Sequence, residues 1–215
     1  MTVIPFYGAE DPELFAIERR AMDRDGLVLA ALDRMLPSGR VLDVGAGDGF
    51  TAARLRSGRT VVALEPSVGM IARIDDLTWV RGEAEHLPFG DGSFDGAYAT
   101  WAYFFSKDWD PTPGIAELDR VVRPGGQLAI VDNLGGDDFC AMAEADISAD
   151  PDFWAGQGFA REPIDTAFRF DDLQEARRLL GFFFGERGVT GAALAVPFRV
   201  GLFHRQSRGV RPGGG

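Results

Sequence analysis

Residues 40–50 read RVLDVGAGDGF, a short apolar strand that ends at three glycines spaced two residues apart. Val41, Leu42 and Val44 suit a buried parallel strand. Glycine lacks the Cβ atom that would hold a ligand away from the backbone or forbid a positive φ angle. The stretch therefore predicts a strand followed by a tight turn around a small bound molecule. A dinucleotide-binding turn has the different spacing G-x-G-x-x-G, whereas this chain has G-x-G-x-G.

A second apolar run, TVVAL at residues 60–64, is followed directly by Glu65. A carboxylate at this position can accept hydrogen bonds from both hydroxyls of a ribose. Further strand-like segments lie at residues 77–80, 93–100 and 127–132, with crossover helices expected from near Phe50, Ser67 and Pro113. This alternation predicts an α/β fold whose parallel sheet has helices on both faces.

The order and spacing of these segments, together with GEAEHLPF at 82–89 and LDRVVRPGG at 118–126, resemble the class I S-adenosylmethionine (SAM)-dependent methyltransferases. The small-molecule branch that includes quinone-biosynthesis C-methyltransferases is the most similar. The resemblance implies a Rossmann-like, doubly wound, mostly parallel seven-stranded sheet, with residues 193–204 supplying an antiparallel C-terminal edge hairpin. It also implies methyl transfer from SAM to O, N or C of a small molecule, with S-adenosylhomocysteine as product.

Carried onto this sequence, the resemblance implies a set of cofactor-binding residues. The glycines would pass beside the methionine part of SAM, with Asp43 orienting the loop and the SAM ammonium group. Glu65 would bind the ribose, Pro66 and the turn at 83–85 would meet the adenine, and the Thr100 backbone would lie by the methionine end. The full set is Asp43, Gly45, Ala46, Gly47, Gly49, Glu65, Pro66, Glu83, Ala84, Glu85 and Thr100.

Two segments depart from the sheet pattern and leave it at the edge where ligands bind. The first, residues 101–105, is aromatic and either binds an acceptor or packs internally. We expect Trp101, Tyr103 and Tyr7 to contact the acceptor, and Tyr103 and Asp132 to be the candidate catalytic groups if the acceptor must lose a proton. The second segment, residues 133–170, is too long for a plain connection, so we expect an inserted lid over the acceptor. Its acidic residues form either a solvated face or a site for a cationic group.

The remaining organisation is simple. The sequence predicts a single SAM-binding domain over residues 1–207, with N-terminal helices in 1–37 and a disordered glycine-rich tail over 208–215. Asp11 and Pro12 form a helix start, and residues 171–180 read as a final amphipathic helix.

The amino-acid composition limits which classes of binding partner the protein can have. The chain has 22 basic and 33 acidic side chains, a formal charge of −11, which disfavours nucleic acid as a substrate. Cys140, the single cysteine, cannot form an intramolecular disulfide, and no His/Cys spacing suggests a metal site. No run of 18 apolar residues is present, so we expect a cytoplasmic protein with no membrane partner. We also expect a monomer or homodimer that needs no metal.

Two other function classes were weighed. A nicotinamide-dependent oxidoreductase needs the longer glycine spacing and a catalytic Tyr/Lys pair, and Lys107 is the only lysine. A non-catalytic SAM-binding regulatory or partner subunit stays open, because the acceptor-side residues carry no diagnostic motif. Among general-base candidates, His86 is expected at the surface and His204 in a structural position on an antiparallel strand.

Overall fold

The computed structural model describes residues 7–71, 74–105, 107 and 110–209. Its strands are β1 (Gly39–Val44), β2 (Arg59–Leu64), β3 (Thr78–Val80), β4 (Phe94–Thr100), β5 (Val122–Asn133), β6 (Ala160–Arg169) and β7 (Ala195–Gln206). Its α-helices are α1 (Tyr7–Glu10), α2 (Pro12–Ala21), α3 (Leu27–Met35), α4 (Phe50–Arg54), α5 (Thr112–Val121), α6 (Pro151–Gly156) and α7 (Leu173–Thr190), and a 3₁₀ turn spans Cys140–Met142.

The strands form one seven-stranded sheet in the order β3-β2-β1-β4-β5-β7-β6. The first five strands are parallel, and β7 runs antiparallel to both β5 and β6. Alternate strand residues face opposite layers: Val41 packs with α2 and α3, whereas Leu42 and Val44 pack with α5. Burial of both faces explains why the central strands are continuous apolar runs. The predicted fold class is confirmed.

The antiparallel edge is built differently from the predicted hairpin, so that placement was wrong. Residues 195–206 form the single strand β7, and its partner is β6, which precedes α7 in the chain. Pro197 lies where β7 has only β6 beside it, since pairing with β5 begins at Val200. A residue without an N–H group is tolerated at such a position.

The segment 133–170 is also not a lid along its whole length. Its last third is the sheet strand β6, and α6 buries Trp154 completely. The Trp154 ring stacks on Phe203 with a centroid separation of 5.3 Å, and Phe139 stacks on Phe168 at 4.4 Å. These aromatic residues therefore belong to the core, and the predicted lid is limited to residues 133–149.

Some of the helix predictions are confirmed and others are wrong. Asp11 caps α2 as expected, accepting a hydrogen bond from the Leu14 N–H at 2.9 Å, with Pro12 at the first position. The crossover helix expected from Ser67 is absent from the described residues 67–71 and 74–77, which form turns and irregular backbone. The final helix extends to Thr190 and is interrupted at Gly185, where φ is 58°.

The predicted tail begins too early. The Arg208 N–H donates to Asp119 at 2.9 Å, and its guanidinium donates to the Gln157 carbonyl at 2.8 Å. Arg208 is therefore part of the folded domain rather than of a disordered tail. Residues 210–215 lie outside the described residues.

We expect Trp154→Ala to destabilise the protein by about 3–5 kcal/mol, because it removes a fully buried aromatic side chain from a packed cluster. Urea unfolding measures the change. Phe182→Ala is the control, since the Phe182 side chain is 54% exposed and its removal is expected to cost less than about 1 kcal/mol. A similarly small loss for Trp154→Ala would mean that α6 is a detachable cover after all.

Candidate functional site

The glycine loop turns the chain sharply at the end of β1. The N–H groups of Gly45 and Ala46 both donate to the Leu64 carbonyl of β2, at 2.9 and 3.0 Å. Gly45 has a φ of 75°, and a Cβ atom there would lie 2.5 Å from the Cβ of Ala102. Any other residue at Gly45 is therefore both strained and obstructed. The loop brings its backbone directly to the carboxyl edge of the sheet.

Glu65 fixes the loop from the adjacent strand. One of its carboxylate oxygens accepts from the Gly47 N–H at 2.9 Å and the other from the Ser67 N–H at 2.8 Å. The side chain is 6% exposed, and burial raises the pKa of Glu65. Each carboxylate oxygen has a second lone pair, so Glu65 retains the capacity to accept from two further hydroxyl donors. These properties fit the vicinal diol of a ribose.

A cavity of about 890 Å³ opens above this loop, in the size range of small-molecule sites. It lies outside the carboxyl ends of the strands, where ligands bind in open α/β sheets. Most of the residues predicted from the sequence line it: Gly45, Ala46, Gly47, Glu65, Pro66, Glu83, Ala84, Glu85, Thr100, Trp101, Tyr103 and Asp132. The structure thus brings the predicted cofactor, acceptor and catalytic residues into one space.

Three predicted residues stand apart from this lining. Gly49 starts α4, and a Cβ atom there would lie 2.9 Å from side-chain atoms of Leu77 and Trp79, so packing explains this glycine. Asp43 is buried beneath the loop and is not among the lining residues. The side chain of Tyr7 lies outside the described part of the chain. The cofactor roles of Asp43 and Gly49 and the acceptor role of Tyr7 remain predictions.

Asp43 is an unusual carboxyl group. It accepts a hydrogen bond from the Tyr98 hydroxyl at 2.8 Å, and its Oδ1 atom has no hydrogen-bond partner among the described residues. Burial, with a smaller contribution from the nearby Glu65 carboxyl, raises the pKa of Asp43 to about 7 against the lowering effect of the Tyr98 hydrogen bond. Asp43 is therefore an acid whose protonation changes near neutral pH.

The sequence did not reveal that the helices α2, α3 and α7 cover the cavity. Leu14, Ile17 and Ala21 form the core face of α2, and a second stripe displaced around the helix lines the cavity. The available signal was Phe15 and Met22, two large apolar residues off the core stripe. The lining residues from the three covering helices are Phe15, Glu18, Arg19, Met22, Val28, Leu29, Leu32, Phe183 and Phe184.

Two ion pairs connect different segments that line the cavity. Arg19 of α2 forms an ion pair with Asp48 of the glycine loop, and its guanidinium lies 4.3 Å from the centroid of the Phe50 ring. Lys107 pairs with Asp146 at 2.5 Å, linking the segments that follow β4 and β5. These two are the cationic side chains among the described lining residues, and both have carboxylate partners.

The acidic residues of the segment after β5 have local roles. Asp137 accepts from the Cys140 and Arg199 N–H groups, at 2.8 and 3.1 Å. Asp150 caps α6 by accepting from the Asp152 and Phe153 N–H groups, at 3.0 and 3.2 Å. Of the two alternatives for this acidic run, these contacts favour structural and solvated roles over recognition of a cationic group.

The two candidate catalytic groups differ in chemistry. Burial and the neighbouring Glu85 raise the pKa of Tyr103, so its phenol stays protonated and is suited to donate a hydrogen bond. Asp132 is 3% exposed and accepts from the Asn133 N–H at 2.7 Å. Asp132 is thus the better placed of the two to accept a proton. His204 lies within β7, paired with Ala129 and Ala160, and does not line the cavity.

Within the described residues, no three His, Cys, Asp or Glu side chains are grouped in a way that would hold a metal ion. A helix with the length and apolarity needed to cross a membrane is also missing from that part of the chain.

Comparison with known proteins agrees with this geometry. A family model described as a methyltransferase domain matches residues 42–130. Residues 42–130 are thus similar to methyltransferase domains. Demethylmenaquinone methyltransferase from Beutenbergia cavernae is 42% identical over 102 residues, which is 45% of this chain and 41% of that protein. An uncharacterized methyltransferase from Mycobacterium tuberculosis is 38% identical over 110 residues, covering 48% of this chain and 44% of its own length.

Solved structures support the fold of the whole domain. A SAM-dependent methyltransferase from Thermotoga maritima aligns with a TM-score of 0.59 and 23% identity, covering 93% of this chain and 97% of that one. The YcgJ protein from Bacillus subtilis aligns with a TM-score of 0.56 and 18% identity, covering 88% and 98%. The chain spans less than half the length of the sequence relatives described above. The comparisons confirm the predicted resemblance to methyltransferases of this fold.

Asp43→Asn is expected to remove a pH dependence of stability. Because burial raises the Asp43 pKa from 3.8 to about 7, the folded protein retains a proton that the unfolded chain releases between these values. Wild-type stability therefore falls as the pH rises through this window, whereas the asparagine variant escapes that loss.

Urea unfolding across this pH range measures the difference. Relative to wild type, the variant is expected to gain on the order of 1 kcal/mol per pH unit as the pH rises toward neutrality. Asp165→Asn, at an exposed carboxyl, is the control. Parallel curves for wild type and Asp43→Asn would contradict the expectation.

Proposed function

We propose that this chain is a SAM-dependent methyltransferase that acts on a neutral, largely apolar small molecule. One observation carries the proposal: a single cavity is lined both by the glycine loop with Glu65 and by several aromatic side chains. A methyl donor and an acceptor held in the same space meet the central requirement of methyl transfer, which is alignment of the reacting atoms.

The cofactor end matches the parts of SAM. SAM supplies a methyl group on a sulfonium, from which a neutral thioether leaves. Glu65, held by the Gly47 and Ser67 N–H groups, would accept hydrogen bonds from the ribose, and the turn at 83–85 would contact the adenine. Because Gly45 and Gly47 have no side chains, the methionine part of SAM would lie against their backbone. Its far end would lie near Thr100.

The acceptor end favours an uncharged ring or chain. Phe139, Phe183 and Phe184 line it from two separate parts of the fold, whereas Phe15 lies beside Gly47 of the glycine loop. Aromatic surfaces suit apolar ligands. Arg19 and Lys107 are already paired with carboxylates, so among the described lining residues an anionic acceptor meets no unpartnered cation. The acceptor atom is O, N or C.

Residues 133–149 are proposed as the wall that selects the acceptor, together with Trp101 and Tyr103. Several of these residues line the cavity, including Phe139 and Ile147. They lie beyond the matched residues 42–130, as do α2 and α7. This arrangement separates cofactor binding from acceptor choice along the chain, as expected for sites built on a common scaffold.

Asp132 is the proposed general base where the acceptor must lose a proton. It follows the buried part of β5 and lines the cavity, and its carboxylate is held by the Asn133 N–H. Tyr103, protonated because of its raised pKa, is the proposed hydrogen-bond donor to the acceptor, in exchange for its present contact with the Asp110 carbonyl at 3.4 Å.

The cofactor proposal is tested by binding. SAM and S-adenosylhomocysteine should raise the melting temperature, whereas NAD and NADP should not, because a ligand bound only to the folded state stabilises it. Glu65→Ala should weaken S-adenosylhomocysteine binding about tenfold or more in calorimetry, since it removes hydrogen bonds to a charged acceptor. Glu162→Ala, at an exposed carboxyl of β6, is the control. Unchanged affinity in Glu65→Ala would remove Glu65 from the site.

Turnover is tested with labelled SAM and a panel of 1-naphthol, 1-naphthylamine and 1,4-naphthalenediol. Methyl transfer to at least one of them is expected. Asp132→Asn should then lower kcat about a hundredfold or more for an acceptor that loses a proton, with SAM affinity nearly unchanged. Tight SAM binding without turnover on any neutral acceptor would instead favour the non-catalytic SAM-binding subunit.

A further inference from the structure

Trp101 has a strained backbone at the junction of the two ends of the cavity. Its φ angle is 45°, in the left-handed region that bulky residues rarely adopt. The residue directly follows Thr100, and its N–H donates to the Val131 carbonyl at 2.9 Å. Strain of this kind persists only when surrounding contacts hold it, and it is concentrated at functional sites. The contacts that hold the Trp101 side chain therefore indicate what its conformation serves.

Asn133 is the residue that holds the indole ring. The indole Nε1–H donates to Asn133 Oδ1 at 3.1 Å, and Asn133 Nδ2 donates to the Ile147 carbonyl at 3.1 Å. An indole nitrogen only donates and a carbonyl oxygen only accepts, so these partners fix the orientation of the amide. The Asn133 carbonyl also accepts from the Ala149 N–H at 2.8 Å. One residue thus fastens Trp101 to the segment after β5.

Phe198 supports the ring from within the core. The two rings are stacked with centroids 6.1 Å apart and planes 27° apart, and Phe198 is 1% exposed. The remaining surface of Trp101 lines the cavity, as do Asn133 and Ile147. With its backbone strained, its edge hydrogen-bonded and one side supported, the indole is a fixed flat wall beside the methionine end of the cofactor site.

We propose that Asn133 is a positioning residue that sets acceptor specificity by fixing Trp101 as a stacking surface for a flat, neutral ring. The inference rests on the proposed function and names the acceptor class for the same site. A ring stacked on a fixed indole has its reacting atom at a defined height above the wall, which is the alignment that in-line transfer needs. Loss of Asn133 frees the indole edge and the Ile147 carbonyl together.

The test uses 1-naphthol as the probe and the full chain saturated with S-adenosylhomocysteine. Asn133→Ala should weaken 1-naphthol binding about fivefold or more, with S-adenosylhomocysteine affinity within about twofold of wild type. Trp101→Phe removes the indole N–H and keeps a ring, so it should cause a similar loss. Because Asn133 acts through Trp101, the double variant should bind 1-naphthol no more weakly than the weaker single variant. Gln127→Ala, at a half-buried amide near the other end of β5, is the matched control.

Direct observation complements the affinities. Asn133 is the only asparagine in the chain, so asparagine-selective ¹⁵N labelling gives a single side-chain amide to follow by NMR. Its signals should shift when 1-naphthol is added to wild type and should change in Trp101→Phe without ligand. If the Asn133→Ala variant does not fold, the 1-naphthol affinity of Trp101→Phe and the NMR signals of Asn133 still test the inference.

The outcomes separate this inference from the proposed function. If wild type binds no S-adenosylhomocysteine, the proposed function fails, and this inference fails with it. If wild type binds S-adenosylhomocysteine but not 1-naphthol, the flat-ring acceptor is wrong and the cofactor proposal survives. If 1-naphthol binds equally well to wild type and Asn133→Ala, or if the two variants have additive effects, Asn133 does not act through Trp101.

Discussion

The carboxylate of Glu65 joins two segments on which the cavity depends, the glycine loop after β1 and the turn after β2. Its oxygens accept from the Gly47 and Ser67 N–H groups, while the Leu64 carbonyl accepts two more N–H groups of the loop. Buried backbone donors and a buried carboxylate are each costly alone, and here each satisfies the other. The floor of the cavity therefore exists only while β1 and β2 remain paired in register.

Features with local chemical causes could be predicted from the sequence. The glycine spacing requires a tight turn, and the Asp11-Pro12 pair requires a helix start, whatever the rest of the chain does. Strand β6 could not be predicted, because no local feature of the sequence determines it. It carries polar residues and Pro163, and its pairing partner lies beyond a whole helix. Pairing at that sequence separation is set by tertiary packing rather than by local pattern.

The site residues also differ in whether local sequence or tertiary packing determines their position. Residues at strand ends could be predicted, because parallel strands present their carboxyl ends at one edge. The α2 and α7 residues could not, because their position over the cavity depends on how the helices pack and on the break at Gly185. Asp43 shows a subtler limit. An acid in an apolar strand resembles a ligand group, yet its observed partner is the Tyr98 hydroxyl, a contact from a neighbouring strand that sequence spacing does not reveal.

The position of β7 between β5 and β6 has a consequence for synthesis of the chain on the ribosome. Strand β6 touches the sheet only through β7, and β7 is made after β6 and after the whole of α7. Until residues 195–206 emerge, β6 has no partner, and Phe168 lacks the Phe198 ring that covers it. The nascent chain must therefore carry an unpaired strand and an open aromatic surface while α7 is made, and such surfaces favour misassociation with other chains.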